Sequence, residues 1–83
     1  PELLKAVQNI NKKMKEKYKT VQHLFEVYDE ASNKATDCLI SVIEARMKGK
    51  TAIADFLENK VYPKLTEQSY RLFCKFDEAV KQL

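Results

Sequence analysis

With 83 residues the chain has room for one domain and no second core, and a domain this small hides only a modest share of its unfolded surface. A net charge of +3 is too mild to indicate a nucleic-acid partner by itself, and one Gly and two Pro leave few interior breaks in a chain rich in helix formers. This is the composition of a helical bundle or coiled coil, and its apolar run from Cys38 to Ile43 is far too short to cross a bilayer.

The first element predicted is a helix over about residues 2–48. With Val7 as a heptad a position, the a series reads Val7, Met14, Val21, Tyr28, Ala35 and Val42. The d series reads Leu3, Ile10, Lys17, Leu24, Ala31, Cys38 and Ala45, so Lys17 alone breaks the pattern. No Gly or Pro interrupts it before Gly49, and a helix of about 45 residues spans roughly 65–70 Å. Leu4, Tyr18, Phe25 and Leu39 at e positions widen the stripe beyond a two-stranded seam, which predicts packing in a bundle. Apolar character wraps furthest round between Cys38 and Ile43, so that part is expected to be the most enclosed.

Gly49 suits the left-handed position after a helix end, Arg46 and Lys48 favour the negative end of the helix dipole, and Thr51 can cap a new helix. A tight reversal at 49–51 follows. The return arm is predicted as 52–62 and 64–82, kinked or broken at Pro63, which lacks an amide donor and biases Tyr62 away from helix. Its first part places Ile53, Phe56, Leu57 and Val61 on one face. Its second carries Leu65, Ser69, Leu72, Phe76, Ala79 and Leu83 at alternating four- and three-residue spacing. The fold expected is therefore all-α: one helical-bundle domain over 1–83 with two to three helices.

An antiparallel hairpin turning near Gly49 and Lys50 sets Ala35 opposite Leu65, Ala31 opposite Ser69, Tyr28 opposite Leu72, Leu24 opposite Phe76 and Val21 opposite Ala79. The chain then ends at Leu83 opposite Lys17. Residues 1–16 are left to project by roughly 24 Å, still carrying Leu3, Leu4, Val7, Ile10 and Met14 on one face. An exposed stripe of this kind usually marks an interface. The expected function is a non-enzymatic interaction or assembly module that binds a partner helix or a second copy of itself through these five residues. Alternatively the first helix bends at Ser32-Asn33, two weak helix formers, and closes a three-helix bundle alone.

Charge is unevenly spread. Six lysines against Glu16 lie between Leu3 and Thr20, while Glu26 to Asp37 holds four acids against Lys34. An antiparallel homodimer would set the basic third of one long helix beside the acidic third of the other, whereas a parallel one stacks like charges. Lys5, Lys12 and Lys19, with Lys15 nearby, form a basic band on the face opposite the apolar stripe, which offers a second reading: a peripheral binder of acidic membranes or polyanions. The band lacks Arg and interleaved aromatics, so no specific nucleic-acid contact is expected.

A third reading is a small secreted helical factor or ligand carrier with a Cys38–Cys74 bridge. A chain beginning at Pro1 without Met leaves secretion open, because a removed signal peptide would leave no trace. In the hairpin, however, the two cysteines stand some twelve residues apart along the axis, roughly 18 Å, and free thiols are expected, as in an intracellular protein. His23 and Glu26 lie one turn apart but supply only two ligands on an outer face, so no metal is expected. One His, no Gly-rich phosphate loop and no nucleophile with an evident base argue against catalysis and against a cofactor.

Overall fold

In the computed structural model, which describes residues 2–83, α1 runs unbroken over Glu2–Met47. A turn at 48–50 follows, then α2 (Thr51–Phe56), a π-helical segment (Leu57–Val61) and α3 (Tyr62–Lys81). There is no strand among the described residues. The chain is a helical hairpin, one long helix and a continuous return arm of 31 residues, and its Cα atoms extend over 72 × 16 × 11 Å.

The arms meet along the heptad positions. Ala31, Ala35, Cys38, Val42 and Ala45, alternately d and a, are the buried residues of α1, and Ala54 on the return arm is fully covered. Four of these six are alanines, whose small side chains let two backbones approach closely. Leu57 packs against the Val42, Ala45 and Ala54 cluster. Farther from the turn, larger rings replace alanine: Phe25 and Phe76 lie 5.4 Å apart between centroids, Tyr28 and Phe73 5.5 Å, both tilted. These pairs set the register within one residue of that predicted. Ser32 and Asn33 lie inside α1, where the Ser32 carbonyl accepts a bond from the Thr36 hydroxyl at 3.1 Å, so the first helix does not break to close a three-helix bundle.

The reversal occupies 48–50. Gly49 adopts φ +72°, the Lys50 amide donates to the Ala45 carbonyl at 2.8 Å and the Gly49 amide to Arg46 at 3.1 Å, the paired bonds of a Schellman closure. Thr51 is not the cap. Lys50 occupies that position, the Ala54 amide bonds its carbonyl at 3.1 Å, and no side chain completes the cap. Arg46 reaches back from α1 to pair with Asp55 at 3.2 Å and with Glu58. The hydrogen bond and charge of Glu58, then those of Asp55, push its guanidinium pKa up.

Pro63 disturbs the return arm without stopping it. Tyr62 keeps helical angles, φ −57° and ψ −45°, and the irregularity falls on the preceding π-helical turn, with Val61 at φ −102°. The inward positions explain why an extra residue is needed there. Ala54, Leu57, Val61, Leu65, Ser69 and Leu72 are spaced three, then four three times, then three. A regular helix drifts off such a run of fours, and the wider π turn absorbs the drift. The first part of the arm therefore buries Ala54 with Leu57 and Val61 half-covered, while Ile53 and Phe56, expected on that face, point outward.

Gly49→Ala is expected to lower unfolding free energy by about 1 kcal/mol, from backbone strain alone because an added Cβ meets nothing within 4 Å. Ala54→Leu puts a larger side chain at the fully covered position packed against Val42 and Ala45 and is expected to cost about 1–3 kcal/mol. Urea titration followed by circular dichroism measures both.

Candidate docking surface

The return arm runs out where predicted. Ala79 and Gln82 share a shallow cleft with Lys13, Glu16, Lys17, Thr20 and Val21, and α1 continues beyond it with no facing element. Every residue from Glu2 to Thr20 is exposed. Leu3 is 79 % exposed, Leu4 62 %, Val7 46 %, Ile10 57 % and Met14 61 %. All five candidate docking residues thus stand on one projecting helix segment; Pro1 lies outside the described residues.

Lys5, Lys12, Lys15 and Lys19 are exposed as well, but they do not all stand behind the apolar stripe. Lys15 and Lys19 line a shallow surface with Met14, Tyr18 and Gln22, so both lie beside the Met14 end of the stripe. Their stems add apolar area to its edge.

A second exposed apolar surface was not foreseen. The stretch from Cys38 to Ile43, expected to be the most enclosed, is covered on one side only. Cys38 and Val42 face the return arm, while Leu39 (38 %), Ile40 (48 %), Ile43 (51 %) and Met47 (82 %) remain exposed. On the return arm Ile53 and Phe56 are exposed as well, Ile53 beside Ser41, Glu44 and Lys48 on the other flank of α1. At about 100° per residue Ile43 lies on the same line of the helix as Val7 and Phe25, with Leu39 about 40° to one side of it and Met47 and Ile40 about 40° and 60° to the other. The signal in the sequence is the eighteen-residue recurrence of Val7, Phe25 and Ile43, five helical turns each time. Heptad bookkeeping scattered the three over a, e and b positions and hid their alignment.

The opposite flank of α1 is mainly polar. Glu30 and Lys34 pair at 3.8 Å beside Gln68, and Ser41, Glu44, Lys48 and Lys50 line the groove near the turn together with Ile53 of the return arm. Besides its buried face, α1 therefore has one mainly polar flank and one mainly apolar flank.

Little else in the chain offers chemistry. Cys38 is buried with Sγ 4.0 Å from the Leu57 carbonyl, Cys74 is exposed on α3, and both are free thiols. His23 and Glu26 are exposed, and no group of three metal-ligating side chains occurs among the described residues. Nor is any helix of the described residues long and apolar enough to cross a membrane. Comparison with protein families, with curated proteins and with solved structures yields no match.

Proposed function

We propose that the chain is a non-enzymatic helical assembly module that docks the stripe of Leu3, Leu4, Val7, Ile10 and Met14 onto another helical surface, that of a partner protein or a second copy. The observation that carries this reading is the exposure of all five beyond the end of the return arm. Large side chains on one helical line in water are a standing cost that a second surface removes, at roughly 25 cal/mol per Å² of apolar area covered. Val7→Asp with Ile10→Asp places two charges on the stripe while leaving the hairpin seam intact. Sedimentation equilibrium is expected to show a loss of association for this variant against the parent. A monomeric parent, with stability and partner binding unchanged by the double substitution, would overturn the reading.

The placement of Lys15 and Lys19 beside exposed Met14 and Tyr18 favours a second reading, in which the same segment lies on an acidic surface with its lysines at the headgroups. It accounts for the basic first third of α1 but not for the exposed patch at the turn. Replacement of Lys12, Lys15 and Lys19 by Gln is expected on this reading to abolish flotation with anionic vesicles. Binding indifferent to both salt and these replacements removes it.

A further inference from the structure

We propose that the occupant of the apolar face is a second copy of this chain, laid antiparallel about a twofold axis at Phe25, so that each projecting N-terminal segment covers the Leu39–Met47 surface of the other. This rests on the assembly reading above and specifies its partner, its direction and its register. Val7 and Ile43 stand eighteen residues to either side of Phe25 and on its helical line, about 27 Å away in each direction. A twofold axis at Phe25 therefore brings Val7 of one copy against Ile43 of the other, twice. The same operation sets Leu3 level with Met47, and Ile10 with Ile40, all exposed in the single chain.

Charge selects the direction. Lys15 and Lys19, at the edge of the stripe, come within two residues, or about 3 Å along the axis, of being level with Asp37 and Asp29 of the second copy. A parallel pair would stack the lysine-rich thirds on each other. Exposed ion pairs of this kind contribute register more than stability, which is what the choice of direction requires.

The area supports an obligate pair. A compact chain of 9.7 kDa exposes roughly 5,100 Å², and the hairpin exposes 6865 Å². Its radius of gyration is 20.2 Å where a compact domain of this length has about 12 Å. Two chains that cover their excess, roughly 1,700 Å² each, reach the size of obligate homodimer interfaces, which run from about 2,000 to 5,000 Å² in total. The covered face of α1 and its exposed face are roughly 120° apart round the helix, so each long helix has two neighbours, the arrangement of a four-helix bundle.

The test uses the whole chain with Cys74→Ser, leaving Cys38 buried. Sedimentation equilibrium should give twice the 9.7 kDa chain mass. Val7→Cys chains mixed with Ile43→Cys chains should form a covalent dimer under mild oxidation, and neither variant alone should do so. Within one chain these positions are about 54 Å apart, so the cross-link reports only the intermolecular pairing. Self-linking of Val7→Cys with a dimeric mass overturns the antiparallel register but leaves the assembly reading standing. A monomeric parent whose Val7→Asp/Ile10→Asp variant loses a different helical partner overturns the second copy as occupant. A dimeric mass with no cross-link in the mixture, circular dichroism being unchanged, overturns the Phe25 axis.

Discussion

The two arms of the hairpin meet through a seam of small side chains, and that seam limits everything else the fold can do. Alanine at positions 31, 35, 45 and 54 lets the backbones close on each other, but it supplies little apolar area to hold them. Among the described residues no large side chain is fully buried, and the aromatic pairs that continue the seam away from the turn remain half open. The chain therefore aligns its helices well and stabilises them thinly. The geometry of such a hairpin is complete while much of its apolar surface still faces water.

Where the uncovered surface lies follows from the same seam. A helix whose narrow alanine face is turned inward must present its bulky residues elsewhere, and on α1 Val7 and Ile43 lie along a neighbouring line with Phe25, whose ring also touches Phe76 across the seam. The polar flank with Glu30, Lys34, Ser41 and Glu44 takes the other side. The division of α1 into a buried stripe, an exposed apolar stripe and a wet stripe leaves one apolar side of the helix without a packed neighbour in the single chain.

Much of this was legible in the sequence. The a and d residues from Ala31 to Ala45 are those the fold buries, and Gly49 marks the turn because its φ of +72° is unfavourable for any side chain. Other features were hidden for identifiable physical reasons. Thr51 has a good capping side chain, but the Schellman closure brings Lys50 to the cap position first. Ile53 and Phe56 outrank Ala54 in hydrophobicity, yet close approach near the turn admits only the smallest of the three. The wrap of apolar residues from Cys38 to Ile43 was visible as composition, but composition does not tell a residue covered by the return arm from one left open.

The π-helical turn before Pro63 gives the return arm an unusual dependence on its own length. Because Leu57–Val61 holds one residue more than a regular helix needs, the arm after it is set by an angular offset as well as by distance along the axis. Loss of a residue there would leave the helix hydrogen-bonded and nearly as long, yet swing everything from Leu65 to Phe76 by close to 100°. In a loop, such a change is absorbed by slack. Here it would act as a gear slipping one tooth, turning the residues that grip α1 out into solvent without breaking a single helix.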